Sequence, residues 1–342
     1  MGRRKKILMT ADTIGGVWTF ARDLCRGLNP EKWEIVLAAF GAPLSKGQER
    51  EISALEHVKL YPAAGFKLEW MEDPWQDVAQ AGEWLLSIAE SENPDLVHLN
   101  EYSHGALDWG CPVIITGHSC VYSWFSAVRG KMPPQVEWGE YHRRVQAGLF
   151  GADAVTAPSN AMLAALKAHY GEFNSAGAVY NGGNPAEFKP SRKEPFIFTA
   201  GRIWDEAKNI RLLSQAAGNL PWQVYAAGEG DHPDGGKAGC EGIFPLGQLE
   251  RKQMASWLGR AAIFAHPARY EPFGLAPLEA GYAGCALVLG DIPSLREIWG
   301  KAALFVSPDD EDELIHAIRY LIDNPHFRSL MSAHARNKAL EY

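Results

Sequence analysis

Apolar and polar residues along this chain alternate between two patterns. Short apolar runs bounded by turn residues predict buried strands, and stretches with apolar residues three or four apart predict helices between most of them. One helical face would carry Val17, Phe20, Ala21, Leu24 and Leu28. The predicted strands form two series, first Lys6–Ala11, Glu34–Phe40, His57–Tyr61, Asp95–Asn100, Pro112–Gly117 and Asp153–Ala157, then Pro195–Ala200, Trp222–Ala227, Gly242–Leu246, Ala262–His266, Ala286–Leu289 and Ala303–Val306. Such alternation predicts α/β architecture, with two Rossmann-like domains built on parallel sheets.

The domain boundary is predicted in a polar stretch with two prolines, Asn184–Glu194. We therefore expect an N-terminal domain at residues 1–184, a second domain at 185–325 and a C-terminal helix at 326–342. Residues 66–84 and 121–141 are rich in aromatic side chains and break the βα rhythm as long connections. Their aromatic rings would pack on the parent domain, form a platform for a sugar acceptor, or face a membrane.

The composition of the chain disfavours some classes of protein function. The chain has 342 residues, 46% hydrophobic residues and a net charge of −8, which is typical of a soluble globular protein and disfavours bulk binding of nucleic acid. Five scattered cysteines, including Cys240, form no C-x-x-C pair and favour a reducing compartment. No stretch approaches a transmembrane helix, so we expect a cytoplasmic protein with at most peripheral membrane contact, through its basic start at Arg3–Lys6 for example.

Two glycine-containing turns are candidate phosphate sites. Gly15-Gly16 follows the first predicted strand and opens a helix, whose free N–H groups can bind an anion. Gly201-Arg202 follows the first strand of the second series, and Lys208 comes six residues after Arg202. The two cations could neutralise a leaving diphosphate, or they could be solvated and paired with Asp205 or Glu206.

The most specific signal is Glu271-Pro-Phe-Gly-Leu-Ala-Pro-Leu-Glu279. The turn at Phe273-Gly274-Leu275 would aim backbone N–H groups at a phosphate, at the start of a helix that contains Pro277. Two carboxylates beside an anion would repel it unless they face hydroxyl groups, and sugar and ribose hydroxyls are the obvious partners.

Two histidines lie at or near strand ends. His118 follows the strand Pro112–Gly117 and would face the crevice at the carboxyl end of the sheet, whereas His98 lies inside its strand, where packing is the commoner role.

These motifs occur in an order that resembles the retaining GT-B glycosyltransferases of family 4. The resemblance spans nearly the whole chain and is strongest over residues 195–325, where Ala200-Gly201-Arg202, Lys208-Asn209, Ala227-Gly228-Glu229-Gly230 and the Glu-x7-Glu motif follow one another. The chain stops at Tyr342, where family members usually continue into a helix that crosses back to the N-terminal domain.

The resemblance implies a donor-binding C-terminal domain facing an acceptor-binding N-terminal domain across a cleft. The implied catalytic residues are His118, Arg202, Lys208 and Glu271. The implied donor-binding residues are Gly15, Gly16, Gly201, Phe244, Leu246, Phe273, Gly274, Leu275 and Glu279, with Glu279 on the ribose and the backbone near Phe244 on the base. Residues expected near the acceptor are His98, Tyr122, Trp124 and Arg129.

The expected partners are a nucleotide-diphosphate-sugar, of UDP or GDP type first, and a sugar, lipid-linked or small-molecule acceptor. No cofactor or metal is implied, since Asp309-Asp310 precedes a helix start and suits its dipole. A nucleotide-sugar binding protein without transfer activity, a phosphorylase and an epimerase remain alternatives. A dehydrogenase is disfavoured, because neither half has G-x-G-x-x-G after its first strand. The donor base, the acceptor and the oligomeric state stay open.

Overall fold

Buried aliphatic runs form the strands of two separate parallel sheets. The structure is a computed structural model that describes residues 3–230 and 241–342, so Cys240 lies outside the described residues. The chain divides into two units, Met1–Tyr180 and Asn181–Tyr342. The second unit thus takes in residues 181–184 and also the helix near the end of the chain.

The described part of the first unit contains one sheet of seven parallel strands, in the order β3-β2-β1-β4-β5-β6-β7. Its strands are β1 Lys5–Asp12, β2 Trp33–Gly41, β3 Val58–Ala64, β4 Leu96–Leu99, β5 Val113–Thr116, β6 Ala154–Ala157 and β7 Ala176–Ala178. Its helices are α1 Gly16–Gly27, α2 Lys46–Ser53, α3 Trp75–Glu92, α4 Val121–Arg129, α5 Gln135–Gly151 and α6 Asn160–Tyr170, with a 3₁₀ turn at Ser103–Ala106.

The described part of the second unit contains a sheet of six parallel strands, in the order β10-β9-β8-β11-β12-β13. Its strands are β8 Glu194–Ala200, β9 Gln223–Ala227, β10 Ile243–Pro245, β11 Ala261–His266, β12 Ala286–Gly290 and β13 Leu304–Val306. Its helices are α7 Ile210–Ala217, α8 Arg251–Arg260, α9 Leu275–Tyr282, α10 Pro293–Trp299, α11 Glu311–Asp323 and α12 Pro325–Ala339, with a 3₁₀ turn at Glu206–Lys208.

Both sheets are covered by helices on their two faces, and the core side chains alternate accordingly. In β8, Phe196 and Phe198 pack into one apolar cluster of the second unit, whereas Ile197 between them packs into the other. Strands buried on both faces read as continuous apolar runs, which is why the sequence pattern was informative. None of the helices in the described ranges is both long and apolar enough to cross a membrane.

The strand order reverses once in each unit, between β1 and β4 and between β8 and β11. The carboxyl ends of strands at such a switch point form the crevice where α/β sheets bind ligands. The two crevices therefore bring together the loops after β1, β4 and β5 in one unit, and after β8, β9 and β11 in the other.

The predicted α/β fold is confirmed, and each predicted strand is present with its ends within a few residues. Two expectations were wrong. Strand β7 was not predicted, because Ala-Gly-Ala carries no apolar run. Residues 121–141 are not a long connection, since α4 and the start of α5 occupy most of them, and residues 75–84 belong to α3.

The basic start of the chain is paired with acidic side chains from elsewhere in the first unit. Arg3 contacts Asp95, and the Lys6 ammonium lies 2.7 Å from Glu92. Met1 and Gly2 lie outside the described residues.

Candidate active site

Glycines form the floor of the crevice in the second unit. Gly201 follows β8, and its N–H donates to Ala227 at the end of β9. Gly228 has φ +141°, and a Cβ on it would lie 1.7 Å from the Gly201 carbonyl oxygen. Only glycine fits at Gly228, because the two strand ends pass so close to each other.

Lys208 and Glu271 form an ion pair beside this floor. The Lys208 Nζ lies 2.7 Å from Glu271 Oε2, and both side chains are largely buried. The buried ring of His266, at the end of β11, donates to the same oxygen from Nε2 over 3.2 Å. Burial alone would raise the pKa of Glu271, but the Lys208 ammonium and the His266 N–H outweigh it and hold that pKa well below its usual range. No residue that the structure describes is found donating to Glu271 Oε1.

Arg202 lies on the same loop in a more exposed position. Its Nη2 donates to Asp205 over 2.8 Å, and its guanidinium stacks on Trp204 at 5.3 Å. The planar group is thus held by a buried carboxylate on one side and an indole on the other. About a third of the Arg202 side chain is exposed (37%), so it can bind an anion without being uncovered first.

The start of α9 is an uncapped helix N-terminus. Gly274 is its N-cap residue with φ +94°, and no side chain caps the helix. The first-turn N–H groups, Leu275 included, therefore lack a side-chain acceptor, which leaves them suited to a phosphate. The Phe273 side chain of this turn is buried, and the Ser294 hydroxyl donates to the Glu271 carbonyl, so the loop is fixed at both residues.

Glu279 is paired with a cation that was not predicted from the sequence. Arg251, the first residue of α8, donates from Nη1 to Glu279 Oε1 over 3.0 Å and from Nε to Glu187. Each acid of the Glu-x7-Glu motif is thus matched by a basic side chain from another element. The sequence near Glu279 does not indicate Arg251 as its partner, since Arg251 lies 28 residues earlier in the chain.

The predicted base-binding residues lie on and after β10. Leu246 donates its N–H to Ala226, which continues the sheet pairing past the strand end. The Phe244 ring is more than half exposed and lies 5.7 Å from the Tyr225 ring. This edge of the sheet therefore offers an aromatic surface and backbone groups.

In the first unit, Gly15 and Gly16 begin α1. Gly15 has φ +94° and caps the helix without a side-chain bond, the first turn carries no acidic residue, and both glycines are exposed. This end of α1 is therefore an uncapped helix N-terminus, and its binding of a phosphate stays a prediction.

His118 is held by a chain of hydrogen bonds. The Asn100 Nδ2 donates to the Thr10 carbonyl over 2.6 Å, so the Asn100 Oδ1 must accept from His118 Nε2, 2.8 Å away. Nε2 therefore carries the proton. Burial, with a smaller contribution from His98, lowers the pKa of His118 to about 3, so the imidazole is neutral at physiological pH and its Nδ1 has a lone pair. Asn100 was not predicted as a site residue, since it lies 18 residues before His118 in the chain.

The remaining predicted acceptor residues lie in different surroundings. His98 bonds the Thr116 hydroxyl over 2.7 Å, and burial lowers its pKa to about 4. Tyr122 is buried in an aromatic cluster and accepts from Gln135, so the structure places it in the core. Trp124 and Arg129 reach the surface of α4 and stack at 5.8 Å.

No three His, Cys, Asp or Glu side chains gather as a metal site within residues 3–230 and 241–342. Asp310 caps α11 by accepting from the Glu313 N–H over 2.9 Å, as its position before a helix predicted, and Asp309 contacts Arg269.

Both halves of the chain match models of glycosyltransferase families. Residues 14–187 match Glycosyltransferase Family 4, and residues 194–324 match Glycosyl transferases group 1. The first match covers half of the chain, so the protein belongs to glycosyltransferase family 4, as the resemblance implied.

Curated relatives carry several different names. Phosphatidyl-myo-inositol mannosyltransferase of Mycolicibacterium smegmatis is 24% identical over 97% of this chain and 87% of its own length. Glycogen synthase of Mycobacterium tuberculosis is 38% identical over 82 residues, which are 23% of this chain. The chain matches only about a fifth of the length of that relative, 20%.

Solved structures share the fold over both units. Sucrose-phosphate synthase of Thermosynechococcus elongatus superposes with a TM-score of 0.80 at 17% identity, over 99% of this chain and 94% of that one. Anabaena HepE, solved in complex with UDP and glucose, gives a TM-score of 0.76 at 16% identity, over 99% and 95%. The neighbours confirm the GT-B class of fold.

Proposed function

We propose that this protein is a retaining glycosyltransferase that moves a sugar from a nucleotide-diphosphate-sugar to an acceptor hydroxyl without a metal ion. The observation that carries this proposal is the crevice of the second unit, where Lys208 and Arg202 stand beside an uncapped helix N-terminus. Glu271 and Glu279 flank the same loop, each paired with a cation. Such a site suits a ligand with both a diphosphate and hydroxyl groups.

The proposed mechanism is attack from the face that the diphosphate leaves. The acceptor oxygen bonds to the anomeric carbon as the bond from that carbon to the diphosphate oxygen breaks, and the departing oxygen takes the acceptor proton. Lys208, Arg202 and the first-turn N–H groups of α9 stabilise the charge on the leaving group. Glu271, with Oε1 available, accepts from a hydroxyl of the transferred sugar. The neutral His118 accepts at Nδ1 from a sugar hydroxyl.

UDP-sugars are the first donors to test, because HepE was solved with UDP and with UDP-glucose. Arg202 and Lys208 supply the positive charge that a metal supplies elsewhere, which supports the metal-independent reaction. Relatives are named as mannosyltransferases and as a sulfoquinovosyl transferase, and these names differ in the sugar that they give.

The first experiment is a thermal shift of the purified protein against UDP-, GDP- and ADP-sugars, with and without EDTA. A ligand at 100 times its dissociation constant stabilises by about 2.7 kcal/mol, which a melting curve resolves. We expect one base to stabilise the protein equally in both conditions. A shift abolished by EDTA would refute metal independence, and no shift from any donor would refute the proposal.

Turnover separates the proposed transferase from the other reactions. Release of nucleotide that depends on a sugar or lipid-linked acceptor supports transfer. Binding without release would indicate a binding protein, phosphate-dependent release a phosphorylase, and a rearranged sugar without acceptor an epimerase.

Arg202→Ala tests the leaving-group role, with Arg260→Ala as the matched control. Arg260 is also ion-paired, with Glu194, stacks on Trp257 at 4.7 Å and is similarly exposed (35%), but it lies at the amino edge of the same sheet. We expect Arg202→Ala to raise the barrier by about 2–4 kcal/mol, a loss of roughly 30- to 1,000-fold in kcat, and Arg260→Ala to retain turnover. Equal turnover in both variants would refute the role of Arg202.

A further inference from the structure

The Glu-x7-Glu motif creates an electrostatic problem that the fold must solve. Two carboxylates beside a diphosphate would oppose its binding unless their charge is offset. Lys208 offsets Glu271, but Lys208 is also proposed to bind the diphosphate. The second acid, Glu279, has its own partner in Arg251.

Arg251 is held in a geometry that suits orientation as well as charge. Its guanidinium donates to two carboxylates at once, Glu279 and Glu187, and lies 4.8 Å from the centre of the buried Phe188 ring. The side chains of Arg251, Glu279 and Glu187 are all at least three-quarters buried. A planar fork clamped between two acids and a ring leaves little freedom to the Glu279 carboxylate.

We propose that Arg251 is a positioning residue of the donor site, which acts through Glu279. It fixes the orientation in which the Glu279 carboxylate meets the ribose hydroxyls, and it offsets the charge of Glu279 beside the diphosphate. This inference rests on the proposed function, because it needs a nucleoside diphosphate in the site.

The same contacts would exist if Arg251 only tied the segment around Glu187 to α8. The two roles differ in which partner matters. In the positioning role, Glu187→Gln leaves the Arg251–Glu279 contact and keeps the preference for ribose hydroxyls. In the tying role, Glu187→Gln and Arg251→Ala have the same effect.

The test compares the affinities of UDP and 2′,3′-dideoxy-UDP by titration calorimetry, or of the corresponding GDP or ADP pair if the wild type prefers that base. Hydrogen bonds to charged groups contribute enough for the wild type to bind the ribonucleotide about 10- to 100-fold more tightly. We expect this ratio to fall to about 3-fold or less in Arg251→Ala and in Glu279→Gln, and Arg251→Lys to lie between. The ratio should be unchanged in Glu187→Gln and in Arg260→Ala, which removes a stacked, paired arginine at the other end of the same helix.

Each result bears on one claim. An unchanged ratio in Arg251→Ala and Arg251→Lys, with a collapse in Glu279→Gln, overturns the inference and leaves the proposed function standing. A collapse in Glu187→Gln equal to that in Arg251→Ala also overturns it. If the wild type binds none of the three nucleoside diphosphates, the proposed function itself fails. Melting temperatures of all variants are measured first, and if Arg251→Ala is unfolded, Arg251→Gln takes its place.

Discussion

The buried pair of Lys208 and Glu271 predicts a large stability loss when either partner is removed alone. Removing one member of a buried pair typically costs about 3–5 kcal/mol, because the other charge is left uncompensated in a poor solvent. These side chains retain 15% and 13% exposure, and His266 still donates to Glu271. We therefore expect the lower limit, about 3 kcal/mol, for Lys208→Met and for Glu271→Gln.

The assay is differential scanning calorimetry of the two single variants and the double variant. For a unit of this size, about 1 kcal/mol corresponds to 2–4 °C, so each single variant should melt about 6–12 °C lower. The double variant should melt no lower than either single variant, which corresponds to a coupling energy of about 3 kcal/mol or more. Additive losses in the double variant would refute the claim that the two charges compensate each other.

The pH dependence of the stability difference between the wild type and Glu271→Gln gives a second check. The pKa of Glu271 is lowered in the folded protein from its ordinary value of 4.5, so the folded state prefers the charged form. As the pH falls below about 4.5, the unfolded chain takes up the proton first, and the stabilisation declines. The stability gap between the wild type and Glu271→Gln should therefore be constant from pH 8 to pH 5 and shrink below pH 4.5. A stability gap that grows on acidification would contradict a lowered pKa of Glu271 in the folded protein.

Two further predictions concern backbone space and proton position. Gly228→Ala should destabilise the second unit by about 3 kcal/mol or more, since its Cβ would overlap the Gly201 carbonyl. Gly218→Ala, with φ −62° and open space, should stabilise the unit by about 0.4–1 kcal/mol. Urea unfolding measures both effects, and equal effects would contradict the geometry. Nitrogen-15 spectra of the imidazoles should show His118 neutral and protonated at Nε2 between pH 5 and 8. Asn100→Leu should shift that tautomer balance and lower kcat more than it weakens donor binding. A His118 that titrates near pH 6.5 in the wild type would refute the assignment.

The fold was predictable because the strands of both sheets are buried on two faces, which leaves a local signature of continuous apolar residues. Strand β7 has no such signature, since Ala-Gly-Ala at the edge of a sheet is defined by pairing with β6 alone. In α4, a helical signal was present. Val121, Tyr122 and Phe125 fall at helical spacing, and Gly130 ends the helix in the left-handed conformation, but the density of aromatic rings favoured a connection.

The candidate site was predictable where its chemistry is concentrated in one stretch of sequence. Glu271 and Glu279 share a loop and a helix, so their motif is visible directly. Their partners His266 and Arg251, and Asn100 beside His118, become meaningful only when different strands and helices are brought together. No pattern in a single sequence reports such contacts.

The division of the chain has a consequence for how such a protein can change. Arg202, Lys208, Arg251, Glu271 and Glu279 all belong to the unit Asn181–Tyr342, and their contacts described above stay within it. Substitutions in the other unit can accumulate around α4 without disturbing any of these ion pairs. Under the proposed function, a lineage could therefore vary this surface of the first unit while it inherits the ion pairs of the donor site unchanged.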